Sequence, residues 1–481
     1  MIDRLVIFGA TGDLTARFLL PGLAALRKAG LLNGQFLVTG SGREDWDSER
    51  FRFWAEEQLR RHAPHLPAAD RQAVVAATAY RQADVRDPAA VANVVAGDGP
   101  VAAYLALPPA VFPGAVSALR DSGLPAGSRI VLEKPFGEDL ASATSLNLLL
   151  AETMPEQEVF RVDHFLAMTT VQNVLGFRLA NRLLEPVWNS SHIAEVDIIW
   201  DESLALEGRA VYYDGVGALK DMVQNHLLQL LCLVAMEPPT SLGERDLRDR
   251  KVDVLRSVRP LSVSDAAKCT RRARYTAGRI GDRDVPAYAQ EEGVDPFLST
   301  ETFAEVRLEV ENWRWQGTRF RIRTAKALSR DRKEVAVRFR DVPRLPSGPA
   351  ARPAPDLLRF GLEPESLTLE LTGIGARVGE LSPLTLTAEL APPELPAYGQ
   401  LLLNVLNQNA ALSIRGDEAE ESWRVVTPVL EAWAAGLVPL EEYPAGSDGP
   451  PAAGTFIPAP RHGTSPASEE AEGATPRITS P

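Results

Sequence analysis

The chain has 481 residues, with 64 Asp plus Glu against 51 Lys plus Arg. It is too long for one ordinary core, so two domains are expected, and too acidic for nucleic acid to be the main partner. Two cysteines exclude a disulfide framework and make no metal-ligand spacing with the six histidines, so a reducing cytoplasm and no structural zinc are expected.

The N-terminus shows no charged leader and enters an apolar strand at once, residues 4–10. Gly9 and Gly12 then permit a tight turn, and the helix beginning near Asp13 aims its free N–H groups at whatever lies over it. A dinucleotide diphosphate is the natural occupant. The spacing is Gly-x-x-Gly, so a tight turn without a ligand stays open as the alternative. A second strand, residues 35–39, should end where an adenosine ribose lies. Arg43 follows it, and a guanidinium there grips a 2′-phosphate, favouring NADP. Glu44 and Asp45 beside it keep NAD in play.

AAYLALPP (102–109) reads as a strand stopped by a double proline, and RIVLEKPFG (129–137) as a strand ending at Glu133-Lys134-Pro135. In an open parallel sheet ligands bind beyond the carboxyl ends of the strands, which puts Lys134 near cofactor and substrate. A solvated surface lysine is the alternative. Arg161-Val162-Asp163-His164 supplies a carboxylate able to orient an imidazole.

The most informative stretch is YYDGVGALKDMVQNHLLQLLCLVAM, residues 212–236. Gly215 and Gly217 begin it in a loop. Met222, Val223, Leu227, Leu230, Leu231 and Val234 then recur at helical spacing. Asp221, Gln224, Asn225 and His226 are set among them, so this helix is either paired locally or shaped for a ligand. No apolar run here or elsewhere is long enough to span a membrane. IAEVDIIWDE, FAEVRLEVE, TRFRIRT and EVAVRFR alternate with period two, which suits an antiparallel sheet with one solvated or partner-covered face. RLPSGPAARPAPD (344–356) is a proline-rich loop, and residues 401–406 and 418–433 read as helices. From about residue 461 the composition predicts disorder.

Several of these stretches carry a resemblance. GATGDLTARFLLPGL, YLALPP, EKPFGEDL, RVDHFLAMTTVQNVLGFRLAN, EPVWN, DMVQNHLLQLLCLVAMEPP, RTAKAL and AYGQLLLNVLNQNAALSIRGDEAEESWRVV, in this order, make the chain similar to glucose-6-phosphate dehydrogenases up to about residue 455. The resemblance implies a Rossmann-like coenzyme domain (1–175), a larger β+α domain with an extensive, mainly antiparallel sheet (176–455), and a disordered tail (456–481). It implies oxidation of glucose 6-phosphate at carbon 1 with hydride passed to NADP, by a homodimer or homotetramer. Position by position, His226 matches the family's general base and Asp163 its orienting carboxylate. Lys134, Glu202, Asp221 and Lys326 match residues that hold the sugar, and His164 one that holds its phosphate. Gly9, Thr11, Gly12, Asp13, Leu14, Arg43 and Lys134 match coenzyme-binding positions. Pro135 matches a proline that follows a cis bond.

The departures lie at the phosphate end. Relatives read like RIDHYLGKE where this chain has Phe165 for the tyrosine and Met168 for the lysine, and Asp331 stands where they usually carry Lys or Arg. Arg330 and Arg332 flank Asp331 and are the expected compensation. Two alternatives follow: a dehydrogenase of the same family acting on an unphosphorylated or differently modified sugar, and a non-catalytic nucleotide-binding paralogue. Gfo/Idh-type sugar oxidoreductases share the EKP-like strand end but lack the Asp-His run paired with the Gln-Asn-His helix.

Overall fold

The computed structural model describes residues 1–208, 210–345, 352–375, 380–391 and 393–451. The expected disordered tail and part of the 344–356 loop lie outside these residues.

Six short apolar strands form the first sheet: β1 (Arg4–Phe8), β2 (Leu37–Gly42), β3 (Thr78–Gln82), β4 (Ala102–Leu105), β5 (Arg129–Glu133) and β6 (Val159–Val162). All pair in parallel in the order β3-β2-β1-β4-β5-β6, the Rossmann arrangement with its switch point between β1 and β4. Because the strands are parallel, every carboxyl end opens on the same edge. Gly9, Arg43, Lys134 and Asp163 each follow such an end.

β2 differs from the expected 35–39: it starts later and runs on through Gly40 to Gly42. A Cβ at Gly40 would lie 2.6 Å from the Phe51 ring and 2.9 Å from Ala10 Cβ. Glycine is there for close helix–strand packing, and the strand continues past it.

The second sheet has nine strands: β7 (Ile193–Asp201), β8 (Thr270–Thr276), β11 (Phe303–Leu308), β12 (Arg319–Ala325), β13 (Arg332–Phe339), β14 (Leu357–Leu362), β15 (Glu365–Ile374), β16 (Leu381–Glu389) and β17 (Leu440–Pro444). A separate hairpin pairs β9 (Gly278–Ile280) with β10 (Arg283–Val285). The order is β16-β15-β14-β13-β7-β12-β11-β8-β17, antiparallel except for β7–β12 and β8–β17.

The expected solvated or partner-covered face is most open at one end of this sheet, where β16 is largely exposed. In the centre both faces are covered, because arginines on the polar face pair with carboxylates of β7. Arg321 meets Asp197, and Arg323 meets Asp201 at 3.0 Å, all four side chains being buried. Period-two alternation reads such a face as solvated or partner-covered, since it sees the charges and not their partners within the chain. Helices Ala397–Leu406 and Gly416–Ala434 form where helices are expected. The first packs Leu401, Leu402 and Val405 into the core beneath the parallel sheet. Among the described residues no helix is long and apolar enough to cross a membrane.

Candidate active site

The helix that carries His226 is wound in two ways. Residues Leu219–Leu227 form a π-helix, which passes into an α-helix at Leu228–Ala235. The sequence periodicity predicts a helix but not this wider winding, which is rare and concentrates at functional sites. Its start is fixed by Gly217, at φ +72°, where a Cβ would fall 2.4 Å from the Glu301 carboxylate. Glu301 Oε1 in turn accepts the Leu219 N–H at 2.9 Å. Asn225, one of the polar residues set into this helix, is paired locally. Asn225 Nδ2 donates to Lys220 O at 3.0 Å, and Asn225 Oδ1 accepts the His226 N–H at 2.6 Å.

His226 and Asp163 lie 63 positions apart in the chain and meet at 2.6 Å, Nδ1 to Oδ1, both side chains buried. Asp163 caps the short 3-10 turn His164–Ala167 and accepts the Phe165 N–H at 2.9 Å, which fixes its carboxylate. Burial pushes the Asp163 carboxyl up, but His226 and His164 outweigh it and hold the group at about 2. Burial lowers His226 below its usual value, against the pull of Asp163. At neutral pH the pair is therefore an ionised carboxylate and a neutral imidazole. The carboxylate can only accept, so the ring proton sits on Nδ1 and Nε2 keeps a lone pair. Phe165 stacks on the imidazole at 3.8 Å and 9°, blocking one ring face. Asp163, His164 and His226 each bring one ligand atom within 4.8 Å of the others, but the bond between two of them is that of a proton-transfer pair.

Other side chains converge on the same cleft, which encloses about 420 Å³ and is lined by Lys134, His164, Phe165, Trp200, Glu202, Asp221, His226, Lys326, Lys333 and Glu363 among others. Lys134, just beyond β5, donates to Asp221 O at 2.9 Å and to Asp221 Oδ1 at 3.1 Å. The Lys134–Pro135 bond is cis, as the resemblance implies. Glu202 and Lys326 leave the carboxyl ends of the parallel neighbours β7 and β12, so register alone brings them together at 2.8 Å. His164 is pushed down to about 4 by burial and by His226, and is neutral at pH 7. Every residue assigned to the sugar by resemblance thus lines one cleft, with Asp163 behind His226.

The phosphate end corrects the expected compensation. Neither Arg330 nor Arg332 lines the cleft: Arg332 bonds to Glu334 at 2.6 Å within β13. Lys333, the next residue, lines the cleft instead. Asp331 Oδ1 accepts the Ser203 N–H at 2.6 Å and its hydroxyl at 2.8 Å. Met168 packs against the core. Sequence reasoning missed Lys333, Trp200 and Glu363. The one signal for Lys333 is its place two residues after Asp331 at the start of an alternating strand, which puts both on one face.

A second cleft of about 300 Å³ opens over the β1 turn, lined by Gly9, Thr11, Gly12, Ser41, Arg43, Glu44, Arg86 and others. Gly9 has φ +81°, and a Cβ there would lie 2.2 Å from Ala106 O. Only glycine fits this floor, the condition a backbone cradle for a diphosphate needs. The helix begins at Asp13, as expected, but Asp13 and Leu14 form its first turn and are not among the lining residues. Arg43 lines the cleft beyond β2. Glu44 lines it too, and its carboxylate accepts the Tyr80 hydroxyl at 3.2 Å.

A Rossmann sheet with a glycine-floored cleft, beside a polar cleft holding a carboxylate–imidazole pair, defines a dinucleotide-binding oxidoreductase. Comparison with known proteins narrows the class. Residues 6–173 match "Glucose-6-phosphate dehydrogenase, NAD binding domain" and residues 175–463 match "Glucose-6-phosphate dehydrogenase, C-terminal domain". The chain is 40% identical to the glucose-6-phosphate 1-dehydrogenase of Mycolicibacterium smegmatis, over 94% of this chain and 95% of that one. It is 37% identical to that of Rhizobium meliloti, over 92% and 94%. Among solved structures it superposes on glucose-6-phosphate 1-dehydrogenase from Mycobacterium avium with a TM-score of 0.83 at 32% identity, covering 93% and 95% of the two chains. A glucose-6-phosphate dehydrogenase in complex with its substrate glucose-6-phosphate gives 0.84 at 29%, with the same coverage. The chain belongs to the glucose-6-phosphate dehydrogenase family.

Gly9→Ala is expected to weaken dinucleotide binding by at least about tenfold, because the new methyl group meets the Ala106 carbonyl in a left-handed backbone. Gly12→Ala, whose Cβ would stand 3.2 Å from Gly9 O, should weaken it less. Fluorescence titration with NADPH measures both; equal effects would contradict the role given to the Gly9 floor.

Proposed function

We propose that this protein oxidises glucose 6-phosphate at carbon 1 to the lactone, with His226 as general base and Asp163 as the carboxylate that orients it. The observation that carries the reading is the buried His226–Asp163 pair opening on a cleft lined by three lysines and three carboxylates. The names and bound substrate of its relatives point to the same sugar. His226 Nε2 takes the proton of the carbon 1 hydroxyl as its oxygen becomes a carbonyl. The C–H electron pair leaves as hydride, which a nicotinamide dinucleotide accepts when bound. Asp163 stabilises the imidazolium that results. Lys134 and Asp221, with Lys326 and Glu202, hold the sugar hydroxyls and fix carbon 1 against the imidazole. Asp221 suits that part as an acceptor: burial raises its carboxyl, but Lys134 and Lys326 bring it below its usual range.

NADP is the proposed coenzyme, with NAD the weaker one. Arg43 supplies the guanidinium for a 2′-phosphate, while the Glu44 carboxylate is occupied by Tyr80. Gly9, Thr11, Gly12 and the first turn at Asp13 and Leu14 form the diphosphate side. We assign residues 1–175 to the coenzyme and 176–455 to the sugar, in a cytoplasmic enzyme. Pairing of two or four copies through the second sheet fits the exposed Leu384 and Leu386 of β16. A second reading, an unphosphorylated sugar, is favoured by Phe165 and Met168, which carry neither hydroxyl nor charge.

His226→Asn should lower kcat by roughly 10²- to 10⁴-fold while NADPH still binds; undiminished turnover would rule the mechanism out. Arg43→Ala should raise the KM for NADP by about 10- to 100-fold, the loss of one charge-assisted contact, and leave NAD kinetics nearly unchanged. A parallel rise for NAD would show that Arg43 does not read the 2′-phosphate.

A further inference from the structure

The charges lining the sugar cleft cancel, but they are not held alike. Lys134 pairs with Asp221 at 3.1 Å, the two side chains 18% and 15% exposed. Lys326 pairs with Glu202 at 2.8 Å, at 10% and 17%. Neither lysine can let go of its carboxylate without leaving that carboxylate uncompensated in a desolvated place. Lys333 pairs with Glu363 at 2.6 Å, and this pair is lopsided: the lysine side chain is 9% exposed and the carboxylate 61%. Glu363, between β14 and β15, returns to water at little cost once released, because an exposed partner contributes little. Of the three cations, Lys333 is the one whose partner a ligand can replace.

Its location is set by the sheet. Lys333 of β13 is the antiparallel register partner of Trp200 of β7, and its ammonium stands 4.8 Å from the centre of the indole. Trp200 leans on Phe165 at 4.3 Å, and Phe165 stacks on His226. A continuous row of rings therefore separates Lys333 from the proton acceptor, whereas Lys134 is tied to Asp221 on the helix of His226 itself. His164, whose ring lies 5.0 Å from Phe165, is neutral at pH 7 and brings no charge. Asp331 Oδ2 stands 4.0 Å from the Lys333 ammonium, and its side chain, 47% exposed, is a weak second partner that water screens.

We propose that Lys333 is the specificity-determining cation at the end of the cleft remote from His226, where it receives the anionic 6-substituent of the sugar by exchanging Glu363 for it. This rests on the carbon 1 oxidation proposed above. It also gives Glu363 a role: a carboxylate that competes with the substrate's phosphate for one lysine.

The test is steady-state reduction of NADP by the full chain with glucose 6-phosphate and with free glucose. Wild type, Lys333→Met, Lys333→Arg and Glu363→Gln are compared. Methionine keeps the stem over Trp200 and removes the charge. Lys333→Met should raise the KM for glucose 6-phosphate by about tenfold or more, as loss of a charged contact does, with kcat and the KM for free glucose within about twofold. Lys333→Arg should restore most of the loss, and Glu363→Gln should lower the KM for glucose 6-phosphate. Equal changes for both sugars, or none for either, would overturn the assignment. Wild-type preference for free glucose would overturn it too while leaving carbon 1 oxidation standing. Turnover of neither sugar would sink the reading of function and the role of Lys333 with it.

Discussion

The 2.6 Å hydrogen bond between His226 and Asp163, shut away from water, is the interaction on which the rest of the site depends. A carboxylate alone at that depth would protonate, and an imidazole alone would turn freely between tautomers. Together they settle each other: the carboxylate stays ionised, and the ring keeps its proton on Nδ1 and its lone pair on Nε2. The surroundings serve that state. Phe165 closes one face of the ring, its own N–H anchors the carboxylate, and the π-wound turn carries His226 to the end of β6 where Asp163 waits. The cost of burying these two groups is offset by the bond between them and by the Phe165 N–H.

Sheet geometry does most of the assembling. Parallel strands place Gly9, Arg43, Lys134 and Asp163 on one edge without any of them being close in sequence. In the second sheet the parallel step from β7 to β12 joins Glu202 to Lys326, and the antiparallel step from β7 to β13 lays Lys333 over Trp200. Two registers thus set two of the contacts that shape the sugar cleft, and the cleft inherits the rigidity of the strands behind it.

Much of this was legible in the sequence, and what was not has physical causes. The glycine turn, the strand ending at Lys134 and the polar residues in an apolar helix each violate a local rule, and such violations mark function. The residues at the phosphate end could not be read the same way. Lys333 sits in an ordinary alternating strand, where a lysine looks solvated; only the register that lays it over Trp200 gives it a place in the cleft. Arg332, the more obvious candidate, turns instead to Glu334. The polar face of the second sheet misled for a related reason, since Arg321 and Arg323 find their carboxylates on a strand more than a hundred residues earlier. Gly40 lies just past the expected strand end and is a packing contact. Periodicity reports local pattern, and each of these depends on a partner distant in sequence.

The central claim is that His226 stands at neutral pH as the Nδ1–H tautomer with Nε2 free to take a proton. Nitrogen-15 NMR of selectively labelled histidine, assigned by comparison with His226→Asn, reads this directly among the six histidines of the chain. The account predicts an unprotonated Nε2 at pH 7 and a titration midpoint below the usual histidine value of about 6.5. A ring protonated on both nitrogens at pH 7, or one carrying its proton on Nε2, would contradict it.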